Sequence, residues 1–252
     1  MFCLVFPCFS YELSRIDSAV SSPNNANQKL LNLVFVEISP VSQRPNSIDI
    51  TAFLKKLKAT SPFDEFADTT AAWQIKLSGD DALIFFKTNE EFPYLSVGRD
   101  FLDSLAAKIK QPFKLVVFDN TKAVKCAEIS SIEKTSIIIL GKSVYSEDEE
   151  ALRSFLHELG HSLGLRDEGV NSYACAPGPP NCAPTKEDAV KWWGLLVKGS
   201  GEINYFSGCC GNMKYICPTA QSLMNNINAS SSYGLVNESY LRDVLSHYCN
   251  KD

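Results

Sequence analysis

His157-Glu158-Leu159-Gly160-His161-Ser162-Leu163-Gly164-Leu165-Arg166-Asp167-Glu168 spells H-E-x-x-H-x-x-G-x-x-D, and each fixed letter has a physical reason. At about 3.6 residues per turn, His157 and His161 fall roughly 40° apart on one helix face, so both imidazoles can reach one metal ion. Neutral imidazole suits zinc, and a catalytic zinc takes three protein ligands and leaves a fourth position for water. Glu158 follows the first ligand directly, where it can take a proton from that water. Gly164 allows the left-handed turn that ends a helix and swings the chain back under the metal. Asp167 is where that return would deliver a third ligand, a carboxylate oxygen.

The flanks agree with this reading. Ser146 and Glu149 have capping-box spacing, and Leu152, Phe155, Leu159 and Leu163 form an apolar stripe, predicting a helix from about Glu147 to Leu163. The chain has three histidines, two of them in the motif.

The glycine-turn extension resembles that of the metzincin zinc peptidases, whose usual third ligand is histidine. An aspartate there, with Gly160-His161-Ser162 before the turn and Asp167-Glu168 after it, is similar to the IgA-peptidase-like metallopeptidases and, more distantly, to snapalysin-type enzymes. The resemblance implies a methionine turn beneath the metal, for which Gln221-Ser222-Leu223-Met224-Asn225 is the candidate, with Met224 at its centre. Pro180-Asn181-Cys182-Ala183, Trp192-Trp193 and Tyr233-Gly234-Leu235-Val236-Asn237 also look like that family. The likeness runs from about Leu30 to Cys249, clearest at the zinc motif and faintest in the N-terminal half.

Asp167 and Glu168 compete for the third ligand position. Asp167 stands where the third metzincin histidine would, three residues beyond Gly164. Glu168 is expected to hold the turn or a ligand from behind. A thermolysin-like arrangement would instead use a glutamate on a later helix, such as Glu187, but Gly164 and Asp167 favour the metzincin turn. His247 is a poor fourth ligand. Tyr215 and Tyr233 are the candidate auxiliary hydrogen-bond donors, with ordinary packing the preferred role for both.

In 252 residues there is room for one domain or one domain with a subdomain. A hydrophobic content of 45% and a charged content of 21% are ordinary for a soluble protein. A net charge of −5 without a basic cluster argues against a nucleic-acid partner. No apolar run reaches the ~18 residues of a transmembrane helix. The expected partner is a protein or peptide substrate, and the chain is expected to be a monomer.

Six of the nine cysteines (Cys175, Cys182, Cys209, Cys210, Cys217, Cys249) crowd into the last third without a C-x-x-C pair, which predicts disulfides and an oxidising, extracellular location. Cys209 and Cys210 are expected to bond to different partners, and Cys126 to stay a free thiol. Apolar Met1 to Phe9, with residues 1–10 as a unit, reads as the tail of a signal peptide, and two sequons at Asn228 and Asn237 are compatible with export.

Residues 11–29 are polar and expected as a flexible lead-in. Strands are predicted at Leu30–Ile38, Ala71–Leu77, Ala82–Phe86, Phe113–Phe118 and Thr135–Leu140. Helices are predicted at Ile48–Ala59, Gly98–Lys110, Thr185–Val197 and Asn237–Tyr248, with Gly199–Gly211 irregular. The expected fold is therefore α/β (α+β) and metzincin-like. A mixed twisted sheet and the active-site helix make an upper subdomain over 30–164. A small, irregular, disulfide-rich lower subdomain covers 165–252, with substrate lying between the two.

The function expected from these residues is a secreted endopeptidase using one catalytic zinc ion (Zn2+), with Glu158 as general base and His157, His161 and Asp167 as ligands. The alternative is a secreted binding module that keeps the zinc site without turnover. Retention of Glu158 argues against it, because a structural zinc site needs no base beside its ligands.

Overall fold

A computed structural model describes residues 11–16, 30–38, 49–77, 86–88, 95–119, 126–129, 136–141, 148–170, 174–197, 201–228 and 230–249. The central sheet has six strands in the order β1-β3-β2-β6-β8-β7. These are β1 (Tyr11–Arg15), β2 (Leu31–Ile38), β3 (Thr70–Leu77), β6 (Phe113–Asp119), β7 (Cys126–Ile129) and β8 (Ser136–Gly141). The four inner strands run parallel, and β1 and β7 are antiparallel edges, so the sheet is mixed. Two short strands, β4 (Phe86–Thr88) and β5 (Leu95–Val97), pair separately.

Burial on both faces explains why β2 reads as an almost continuous apolar run. Leu33, Phe35, Val116, Phe118, Ile138 and Leu140 point to one side and Val34, Val36, Leu115, Val117, Ile137 and Ile139 to the other. The second face is covered by α2 (Arg99–Ile109) through Phe101, Leu102, Leu105 and Ile109. The first face is covered by α1 (Ile50–Leu57), the 3-10 segment Phe63–Thr69, α3 (Asp148–Ser162) and α5 (Leu235–Cys249). The helix α3 crosses β8 and the antiparallel edge strand β7. A buried Lys114 on β6 ties α3 to the sheet, its Nζ donating to Ser162 O (2.7 Å) at the end of the helix.

Residues beyond Gly164 contribute both to the core under the sheet and to small clusters of their own. Leu223, Met224, Tyr233, Leu241 and Leu245 join the cluster under the sheet. Only the cysteines and the residues around Trp193 on α4 (Lys186–Leu196) form their own small clusters.

The structure differs from the sequence expectations in several places. Tyr11–Arg15, assigned to the flexible lead-in, is a strand paired along its length with Arg15↔Trp73 to Tyr11↔Leu77. Its polar residues suit an edge strand, which has one partner and a solvated side. Gly199–Gly211, expected irregular, contains β9 (Phe206–Cys209), which pairs with β10 (Asn212–Cys217). That hairpin turns through left-handed backbone at Gly208 (φ 111°), Cys210 (φ 50°) and Gly211 (φ 67°). Strand β7 was not foreseen, being only four residues long. Finally, two of the six late cysteines are unpaired: the disulfides are Cys175–Cys210 and Cys182–Cys209, while Cys217 and Cys249 are buried free thiols. Nearness in sequence misled here, because Cys249 ends α5 beside Thr69, whereas Cys217 sits with the hairpin cysteines. The Ala82–Phe86 strand, the Ser146 cap and residues 1–10 fall wholly or almost wholly outside the described residues.

Candidate metal centre

The helix α3 ends as the glycine spacing requires. Leu165 N donates to Gly160 O (2.9 Å) and Gly164 N to His161 O (2.9 Å), with Gly164 at φ 106°. This six-to-one and five-to-two pattern needs a residue without a β-carbon at the turn. A β-carbon at Gly164 would also meet Tyr240 Oη at 2.5 Å.

Beyond the turn, Asp167 comes back to the histidines. Its Oδ1 lies 3.4 Å from His157 Nε2 and 3.4 Å from His161 Nε2, and the two Nε2 atoms are 3.1 Å apart. The side chains are 16%, 21% and 24% exposed for His157, His161 and Asp167, so the group is partly open to solvent. Among the described residues no fourth histidine, cysteine or carboxylate joins this group. Glu187 is exposed in the first turn of α4, and His247 is exposed on α5 with its Nδ1 on Asp243 O.

The ring nitrogens show what the three atoms suit. His157 Nδ1 lies 2.7 Å from Leu223 O and His161 Nδ1 3.0 Å from Leu165 O. A carbonyl only accepts, so each Nδ1 carries the proton and each neutral Nε2 presents a lone pair. Two lone pairs and a carboxylate oxygen then face one another, an arrangement that a cation at the centre satisfies. Ligand atoms about 2.0–2.2 Å from a tetrahedral zinc stand roughly 3.3–3.6 Å apart, close to the observed triangle. The residues present fit zinc.

Without a cation in the triangle, the same acidic surroundings instead favour a proton on His161, whose place a bound cation would take. Burial works against a charged His161, but the hydrogen bond and charge of Asp167, the charge of Glu158 and the Leu165 carbonyl outweigh it and push its pKa up to about 9. Burial alone would raise the Asp167 pKa, but its hydrogen bond to His161 and the charges of both imidazoles bring it below the usual value. Glu158, on the helix between the two histidines, is 5% exposed.

The return segment is held from several sides, by residues whose part is not readable from the motif. Asn181 Oδ1 accepts from Arg166 N (2.9 Å), and its Nδ2 donates to Arg166 O (2.8 Å) and Glu168 Oε1 (2.9 Å). Neighbouring Pro180 is fixed by Trp193 Nε1, which donates to its carbonyl (2.7 Å). Cys210 N, in the disulfide-bonded hairpin, donates to Asp167 O (3.0 Å).

Glu168 turns away from the metal triangle. Its Oε2 accepts from Ser222 Oγ (2.6 Å), its Oε1 from Asn181 and from Asn237 Nδ2 (2.8 Å), and its own N donates to Met224 O (2.8 Å). Complete burial, opposed by those three side-chain donors and reinforced by the Asp167 charge, raises its pKa to about 7. The quoted segments around Pro180, Trp192 and Asn237 thus supply the braces of Asp167 and Glu168.

Met224 is buried beneath α3, and Leu223 supplies the carbonyl that orients His157. Tyr233 is wholly buried and donates to Leu156 O, so it is a strut of the helix rather than a donor to substrate. Tyr215 packs against the cysteine cluster.

No protein-family model and no curated protein matches this chain. The chemistry of the site therefore rests on its own residues.

Proposed function

We propose that this protein is a zinc-dependent endopeptidase with the metzincin arrangement, acting outside the cell. The observation that carries the reading is the triangle of His157 Nε2, His161 Nε2 and Asp167 Oδ1, with both Nδ1 atoms committed to carbonyls and Glu158 in the same helix. Three ligands in a partly exposed setting match a catalytic zinc site better than a sealed structural one. The Gly164 turn, Met224 under the helix and the antiparallel edge strand β7 beside α3 also support the metzincin arrangement. Two disulfides support an oxidising compartment, and no helix among the described residues is long and apolar enough to cross a membrane.

Zinc held by these three residues would supply a Lewis acid and a water of lowered pKa. Glu158 takes the proton of the attacking water on its carboxylate and passes it to the leaving amine nitrogen. The Leu223 and Leu165 carbonyls keep both histidines in the tautomer that leaves Nε2 free. Asp167 contributes negative charge, and its backbone bond to Cys210 keeps it in reach.

The test is peptide cleavage by the zinc-loaded protein against Glu158→Ala. Cleavage should vanish in the variant while one zinc per chain remains bound. Equal cleavage by both proteins would remove Glu158 from the mechanism. Zinc binding without cleavage in the wild type would point to a binding module.

A further inference from the structure

The face of α3 that carries the two histidines also carries Arg153, whose Nε makes no hydrogen bond among the described residues. Arg153 precedes His157 by four residues, so it lies one turn earlier and roughly 40° around the helix. Its Nε is buried and has no hydrogen-bond partner among the described residues. Potential carboxylate partners lie nearby on the same helix, Glu149 four residues back and Glu150 three. Glu149 is 3.7 Å from Lys56 Nζ instead. Arg166 Nε is likewise buried and unpartnered, but Arg166 is engaged through Nη1, which donates to Ala176 O (2.8 Å).

Arg153's neighbours around the helix locate it further. Leu156 and Gly160 lie on its flank, and they are covered by Tyr233, which donates to Leu156 O, and by Met224, which packs on Gly160. Arg153 therefore lies between the row of metal ligands and the flank covered by Leu223–Tyr233, one helical turn from the metal. Buried guanidinium nitrogens are almost always hydrogen-bonded, and their planar fork matches a carboxylate. A donor left open one helical turn from the His157–His161–Asp167 triangle is suited to a ligand that arrives later.

We propose that Arg153 binds a carboxylate of the peptide substrate next to the scissile bond, making acidic peptides the preferred substrates. This rests on the peptidase reading above and adds a specificity-determining residue to it. The carboxylate could belong to an Asp or Glu side chain or to a peptide's C-terminus. Cleavage within a chain makes the side chain the expected source.

The experiment measures two quantities on the zinc-loaded full chain: kcat/KM for cleavage, and peptide binding by fluorescence anisotropy to the Glu158→Ala form. The probes are amidated peptides with internal Glu, their Gln counterparts, and neutral peptides with free or amidated C-termini. Glu peptides should bind and be cut about ten- to hundredfold better than Gln peptides, the range expected for a charged hydrogen-bonded pair. Arg153→Gln should remove that advantage at unchanged zinc content, and Arg153→Lys should keep part of it. A preference for free C-termini instead would support the same guanidinium site with the terminus as its source.

A wild type that treats Glu and Gln peptides alike overturns the assignment, without reliance on any substitution at Arg153. So does an Arg153→Gln protein that keeps the preference. If wild type cuts no peptide but binds acidic ones through Arg153, the peptidase reading falls and the carboxylate site stands.

Discussion

Gly160 and Met224 approach so closely that a β-carbon on Gly160 would stand 2.7 Å from Met224 Sδ. Tyr233 Cε1 at 3.1 Å and Leu165 Cδ1 at 3.3 Å would crowd the same β-carbon from other sides, and Met224 is fully buried. The glycine between the two histidines is therefore where Met224 docks. That contact holds Leu223 O against His157 Nδ1.

Gly160→Ala sets two effects against each other. Alanine in a helix gains about 1 kcal/mol over glycine. Overpacking a filled core costs about 1–3 kcal/mol. The clash should win, lowering the thermal midpoint and weakening zinc binding through His157. A variant more stable than wild type, with unchanged zinc affinity in a competitive chelator titration, would show that Met224 yields easily.

Asp167 and Glu168 separate cleanly by geometry. Asp167 Oδ1 faces both Nε2 atoms, whereas both Glu168 oxygens are taken up by Asn181, Ser222 and Asn237. Loss of a residue behind the ligands typically costs about 10–100-fold in metal affinity. Glu168→Gln should fall in that range, and Asp167→Ala should lose more. Zinc titration of both variants decides it, and a greater loss at Glu168 would mean that the ligand is misassigned.

The disulfides should support the metal site as well as the fold. Cys210 is bonded to Cys175 through sulfur and to Asp167 O through its backbone N–H. Removing a native bridge costs about 2–5 kcal/mol in small secreted domains. Cys175→Ser should lower stability, and it should weaken zinc binding more than an equally destabilising change in α2, such as Leu105→Ala. Equal zinc affinity in the two variants would confine the disulfide to a general role.

Cys217 should be inert while the protein is folded. Burial, with the nearby Glu168 charge, pushes its thiol pKa from 9.0 up to about 12. The unfolded thiol ionises first as pH rises, so the folded state binds more protons between about 9 and 12, and this group's contribution to stability falls across that window. Iodoacetamide at about pH 8.5 should label Cys217 only after unfolding, since the thiolate is the nucleophile. Rapid labelling of Cys217 in the native protein, seen by peptide mass mapping, would contradict its burial.

Sequence alone was enough to specify the local geometry of the site. The helix carrying His157, Glu158 and His161, and the turn at Gly164, follow from periodicity and from backbone freedom within a dozen residues. The buried strands β2, β6 and β8 were legible because apolar runs with β-branched residues leave few alternatives. The pairing of strands into a mixed sheet, the docking of Met224 on Gly160 and the capture of Glu168 by Asn181, Ser222 and Asn237 were decided by tertiary structure. The Glu168 contacts alone join residues 13 to 69 positions apart, and nothing in local propensity encodes which of them meet. The same holds for the cysteines. Their number suggested disulfides, but pairing requires side chains brought together by the β9–β10 hairpin, and only the fold separated Cys217 and Cys249 from the bonded pairs.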